Sequence, residues 1–168
     1  PADAHPMDVL RTGVSAMGIS EPESGLEGGF ETAVRLLGAL PSMLGTWYLG
    51  SRGKDVPAGD GMAGFAAYVM HMVKEDTPSD LECQLMDVSL ILYAEHEFNA
   101  STFTSRVCAS TLADFYACIA GAIGTLSGAL HGGANEKAMA LIQQFQGPED
   151  AARGVREMLA QRKLIMGF

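Results

Sequence analysis

The stretch from residue 95 to residue 136, EHEFNASTFTSRVCASTLADFYACIAGAIGTLSGALHGGANE, decides how this chain is read. Near each of its ends lies a histidine set in a break of an otherwise apolar, helical rhythm. Ahead of it, Leu85, Val88 and Leu92 recur at helical spacing until a cluster of short polar residues interrupts them, and there Asn99 or Ser101 can cap a new helix. At the far end His131 precedes Gly132 and Gly133, followed by Asn135 and Glu136, the amide and acidic groups a helix N-terminus prefers. Glycines at such a point let a ligand come close to the backbone. Between the histidines, Ser101 to Leu112 reads as one helix and Phe115 to Leu126 as a second. Ser110, Thr111 and Asp114, weaker helix formers, mark the reversal. At about 1.5 Å per residue, arms of similar length carry the chain out and back, which allows His96 and His131 to share one end of a helical hairpin. Ala117, Ala120, Gly121, Ala122 and Gly124 permit close packing of the second arm, in a subunit interface or in an ordinary core.

Outside this stretch the helical period persists, with no sustained alternation of the kind a strand shows, so the fold class is all-α. Pro6 starts a helix expected to end at Gly18. From Glu27 to Tyr48 an apolar stripe of Phe30, Val34, Leu37, Leu40 and Leu44 is expected to face inward, with Pro41 as a kink or break. Residues 50–57 form a loop by composition. Helices follow over 62–74 and 79–94, and Pro148 opens a last amphipathic helix with Val155, Met158 and Leu159 turned inward.

Composition bounds the function. The 168 residues are 48% hydrophobic and 18% charged, with a formal net charge of −9. Such a chain can bury about two-thirds of its unfolded surface. There is no Lys/Arg surplus to displace phosphate counterions, so nucleic acid is not an expected partner. No apolar run approaches the roughly 18 residues of a membrane span. Cys83, Cys108 and Cys118 are odd in number, lie in apolar helical contexts and lack zinc spacing, so they read as reduced core thiols of a cytosolic protein (mitochondrial matrix if the source is eukaryotic). Neither a metal nor another cofactor is expected. His5 before Pro6 reads as a cap or a loop residue, His71 as a structural histidine, and Arg106 as a helix-face cation, with an approach to the site as the alternative.

The segments His96–Thr102 and His131–Glu136, at this separation, resemble the two signature segments of the citrate synthase family. Phe98 and the run Phe103-Thr104-Ser105-Arg106-Val107 resemble its methylcitrate-forming branch more than its ordinary citrate-forming members. The resemblance extends, more loosely, over most of the chain, and residues 164–168 resemble the approach to the family's next histidine motif. It implies a citrate synthase-like multi-helical fold, with residues 1–130 part of a large domain that includes a probable dimer-interface hairpin and residues 131–168 the start of a truncated small domain. The homodimer is implied in the same way.

In that family a CoA thioester is deprotonated beside its carbonyl, and the enol attacks the ketone of oxaloacetate before the thioester is hydrolysed. Carried onto this sequence, His131 would hydrogen-bond the thioester oxygen, an oxyanion-hole role. His96 would bind and orient oxaloacetate, Asn99 would fix the loop beside it, and Gly132 and Gly133 would supply room and a hinge. The aspartate base, the second catalytic histidine and the arginines that grip the oxaloacetate carboxylates have no counterpart in the chain, so it is expected to be inactive alone. The acyl donor is expected to be propionyl-CoA, giving 2-methylcitrate, with acetyl-CoA and citrate as the alternative. A helical scaffold or interaction module without activity is the alternative of another class.

Overall fold

The computed structural model describes residues 1–59, 61–94 and 97–165, with the backbone alone at residue 26. Eight α-helices and a short 3-10 turn at Leu26–Gly28, but no strand, occur among the described residues. They are α1 (Pro6–Ser20), α2 (Gly29–Gly50), α3 (Phe65–Val73), α4 (Asp80–Tyr93), α5 (Ala100–Ala109), α6 (Phe115–Leu126), α7 (Gly133–Ile142) and α8 (Pro148–Ala160). The all-helical expectation holds. The chain divides into two compact units, Pro1–Gly124 and Thr125–Phe168.

Helix starts follow local chemistry. His5 caps α1, its Nδ1 accepting the Met7 N–H at 3.2 Å, and Pro6 takes the first turn, where a missing N–H costs nothing. Ser79 and Glu82 form a reciprocal capping box at α4. At α6 two carboxylates meet the first-turn donors: Asp114 Oδ1 accepts from Ala117 N, and Glu23 Oε2, from far earlier in the chain, accepts from Phe115 N, both at 2.9 Å.

The first unit's core is Val14, Leu36, Tyr116 and Ile123, flanked by Met7, Leu10, Met17 and Leu40. Each large side chain so buried contributes roughly 1.5–3 kcal/mol. Three sequence expectations need correction here. Helix α1 runs past Gly18 to Ser20, because that glycine serves packing: a Cβ there would lie 3.1 Å from Tyr116 Cβ. Of the kink or break expected at Pro41, the break does not occur: helix α2 is continuous through that residue, which is itself buried. Its buried positions are Thr32, Leu36, Pro41, Gly45 and Leu49, while Phe30, Val34 and Leu37 of the expected inward stripe are exposed and Leu40 and Leu44 half-buried. Helix α2 is apolar on more than one side, and the period alone does not say which side meets α1 and α3.

Gly45 sets the closest approach of α2 to α3, since a Cβ there would lie 2.3 Å from the Met72 carbonyl oxygen. The Tyr68 hydroxyl locks the pair, donating to Gly38 O at 2.7 Å and lying 2.5 Å from Ser42 Oγ. Lys54 and Arg52 pair with Glu75 behind this junction, and Lys74 with Glu82 at the start of α4. The lysine hydrogen bonds hold both carboxyls below their ordinary 4.5, Glu82 at about 2 with further help from Ser79.

In the second unit α8 starts at Pro148, and Gly154 lies against Phe145, whose ring a Cβ would overlap at 2.3 Å. Val155 and Met158 are half-buried as expected, but Leu159 is exposed, because the inward face is centred on Gly154 and Val155. Asp150 and Arg153 pair on the solvated face.

Candidate active site

The two histidine segments belong to different units. His96, with Glu95, lies outside the described residues, and with it the expected sharing of one hairpin end by His96 and His131.

The chain resumes at Glu97 and Phe98, whose φ angles are 48° and 27°. Non-glycine residues in this region cost about 1–3 kcal/mol each and persist where the surroundings over-determine them. Phe98 is also fully exposed, so no burial of its ring offsets the strain. What holds the segment is the next residue. Asn99 returns to extended backbone (φ −68°, ψ 142°) and caps α5, its Oδ1 accepting the Thr102 N–H at 2.6 Å and the Ser101 hydroxyl at 2.9 Å. A cap of this kind stabilises by about 1 kcal/mol. A cleft of about 380 Å³ opens beside it, lined by Glu97, Phe98, Asn99, Thr102, Phe103 and Arg106 among others. The sequence treats Arg106 as a helix-face cation, and it is exposed on α5, yet its side chain borders this cleft. Nothing in the sequence marks the strained pair, because Glu and Phe carry no signal for positive φ.

His131 is half-buried and sits in a tight turn, its N–H donating to Gly128 O at 2.9 Å. Gly132 and Gly133 allow that turn for steric reasons. A Cβ at Gly132 would lie 2.5 Å from Leu126 O, and one at Gly133 would lie 3.0 Å from Gly128 O. Gly132 is helical, at φ −60° and ψ −32°, so close approach rather than unusual backbone requires glycine. The donors that open α7 are engaged locally: Gly133 N with Gly128 O at 3.1 Å, Ala134 N with His131 O at 3.0 Å, Asn135 N with Gly132 O at 3.1 Å. Glu136 lies in the first turn, where the helix dipole favours a negative charge.

Residues 1–168, the whole chain, match the family described as the citrate synthase C-terminal domain. The chain belongs to the citrate synthase family. It is 51% identical over 171 residues to the 2-methylcitrate synthase of Shewanella oneidensis, covering 100% of this chain and 45% of that protein. To the citrate synthase of Synechocystis it is 37% identical, over 100% of this chain and 43% of that one. The crystal structure of citrate synthase from Thermotoga maritima matches with a TM-score of 0.80 at 31% identity, covering 99% of this chain and 44% of that one. The chain thus spans less than half the length of these citrate synthase relatives. Among the described residues no group of three or more His, Cys, Asp or Glu is placed to hold a metal ion. No described helix is long and apolar enough to cross a membrane.

Proposed function

We propose that this chain is part of a 2-methylcitrate synthase, an acyltransferase that condenses propionyl-CoA with oxaloacetate and hydrolyses the thioester to give 2-methylcitrate and CoA, without metal or other cofactor. The observation that carries the reading is the 51% identity, along the entire chain, to the Shewanella enzyme. A second reading, acetyl-CoA to citrate, is favoured by the 37% identity to the Synechocystis citrate synthase. The two differ by one methyl group in the acyl pocket, a discrimination of about 1–3 kcal/mol, or 10–200-fold in kcat/KM.

In this reading the His131 ring donates to the thioester oxygen as the neighbouring carbon loses its proton, so that charge develops toward a donor already in place. Local engagement of the amides that open α7 supports giving this role to the ring rather than to the helix backbone. His96 orients the oxaloacetate ketone, and Asn99 holds the strained turn that follows His96. Gly132 and Gly133 let the chain turn where residues 1–130, part of a large domain, give way to residues 131–168, the start of a small one. We further propose a homodimer formed through the α5–α6 hairpin, supported by the exposed Phe103 and Val107 on α5, and a cytosolic location, supported by three cysteines that are free in this structure.

The test is CoA release by the complete enzyme with oxaloacetate and propionyl-CoA. His131→Ala should lower kcat by about 10²–10³ or more, the scale for loss of an oxyanion donor; unchanged turnover would overturn the role. A kcat/KM favouring acetyl-CoA would select the second reading. The 168-residue chain alone should show no turnover, because the family's base has no counterpart in it.

A further inference from the structure

Between α2 and α3 the chain runs past the C-terminal end of α3 as a strap that few contacts hold. Arg52 N and Lys54 N still donate to Leu49 O, at 2.9 and 3.0 Å, and Gly53 between them turns the chain at φ 68°. Beyond Lys54, residues 55–59 make no hydrogen bond among the described residues. Of residues 52–59 only Pro57 is half-buried, and the others are exposed. The two ends are pinned differently. At the first, a single carboxylate, Glu75, pairs with Lys54 and also with Arg52, the latter at 3.6 Å. The Arg52 guanidinium lies 3.8 Å from the centre of the Tyr48 ring and donates to Tyr48 O at 3.0 Å. At the second, Gly59 lies against α3, where a Cβ would come within 2.5 Å of Tyr68 Cε2 and 2.9 Å of Met72 Cε. A cavity of about 160 Å³ separates strap from helix, lined by Lys54, Pro57, His71, Lys74 and Glu75 among others.

We propose that residues 52–59 are an ionic strap, latched over the end of α3 by Glu75 and released by salt, so that opening presents the Arg52–Gly53 bond and uncovers the His71 cavity. With residues 52–56 exposed and no hydrogen bond after Lys54, opening forfeits little apolar burial. The Glu75 pairs therefore decide whether the strap is closed. Arg52, Lys54 and Glu75 are all open to water, so mobile ions compete with the latch directly. The screening length falls from about 10 Å at 0.1 M salt to about 3 Å at 1 M. The other charges around the cavity do not substitute for it. Asp55 and Asp76 repel Glu75, and Lys74 is held by Glu82 at 2.6 Å. Gly53, at a φ that glycine adopts without strain, gives the strap a hinge at its latched end. The latch does not depend on which acyl-CoA is the substrate.

The complete enzyme is digested briefly with trypsin at about 0.05 M and about 1 M sodium chloride, and cuts after Arg52 and Lys54 are followed by mass spectrometry. Each rate is divided by that of a free peptide of residues 47–59 in the same buffer, so that it reports the population of the open strap. Wild type should be cut about 2–10-fold faster at the higher salt, the scale of two solvent-open ion pairs. Glu75→Gln should already be cut about 2–10-fold faster than wild type at the lower salt, with no further rise at the higher. Asp76→Asn, which removes a charge from the same cavity but no ion pair, should behave as wild type. No cut at either bond in wild type at either salt, equal rates in wild type and Glu75→Gln, or a salt response that survives in Glu75→Gln overturns the proposal. If Glu75→Gln does not fold, Lys54→Gln decides it: cutting after Arg52 should be faster than in wild type and respond less to salt, and an unchanged rate and response overturn the latch.

Discussion

Two sets of apolar stripes in the first unit have the same period and opposite fates. Val14 of α1, Leu36 of α2 and Tyr116 and Ile123 of α6 close on one another, with Val14 at 0% and Tyr116 at 2% exposure. On α4, Leu81, Leu85, Val88 and Leu92 repeat at helical spacing just as regularly, yet Leu85 is 60% and Leu92 71% exposed, and α4 has no buried residue at all. Phe103 and Val107 of α5 extend the exposed set. An apolar stripe states that a face would gain by being covered; it does not name the cover. Under the proposed function, the cover of α4 and α5 is the remainder of the enzyme or its second copy.

Paired truncations attack this contrast most directly. Tyr116→Ala should destabilise the chain by about 3–5 kcal/mol, the range for an aromatic lost from a packed core. Leu85→Ala should stay within about 0.5 kcal/mol, as for a surface site. Urea unfolding followed by circular dichroism measures both, and a Leu85→Ala loss as large as that of Tyr116→Ala would mean that the α4 stripe is covered in solution.

Glycines give the same contrast at a smaller scale. Gly45→Ala puts a methyl 2.3 Å from a backbone oxygen of α3, and should cost about 1–3 kcal/mol as overpacking. Gly38→Ala, with nothing within 4 Å on the same helix, should stabilise by about 0.5–1 kcal/mol through helix propensity. Two substitutions of the same sign would show that α2 meets α3 elsewhere than at Gly45.

Much of this architecture is legible in the amino-acid sequence. The caps His5, Ser79 and Asn99, the Pro6 and Pro148 starts, and the span Phe115–Leu126 are local signals, each set by residues within a turn of one another. Gly18 and Pro41 mislead because a helix tolerates both when tertiary packing compensates, and the partner of Gly18, Tyr116, is far along the chain. The inward face of α2 escapes the pattern for the same reason. At the candidate site the sequence offers His131, Gly132, Gly133 and the Asn99 cap. The positive φ of Glu97 and Phe98 has no residue signal, and the Glu23 carboxylate on α6 depends on register between distant segments, which periodicity does not encode.

The buried cluster also contains its own exception. The Tyr116 hydroxyl is buried and finds no hydrogen-bond partner among the described residues. An orphaned hydroxyl costs about 1–3 kcal/mol, and the ring packs without it. Tyr116→Phe should therefore raise stability by about 1 kcal/mol, read as a higher urea midpoint at unchanged slope. A lower midpoint would mean that the hydroxyl is satisfied, by an ordered water or a side chain that turns toward it.

The smallest effect concerns how the poorly buried α4 is held. With its apolar stripe in solvent, α4 relies on its first turn, where Glu82 accepts from Ser79 N at 2.8 Å and from Lys74 Nζ at 2.6 Å. These contacts lower the folded carboxyl from its ordinary 4.5 to about 2. A depressed carboxyl stabilises fully above its unfolded value, and that contribution is lost as pH falls through the folded one, so the window runs from pH 4.5 down to about 2. Both partners are partly open to solvent, so the effect should be modest and should shrink further in high salt. The measurement is the difference in melting temperature between wild type and Glu82→Gln, taken at about pH 6 and again at about pH 2.5. It should favour wild type at the higher pH and narrow at the lower. A difference that stays constant between the two would show that α4 is held by its packing on α3 and not by the charge at its first turn.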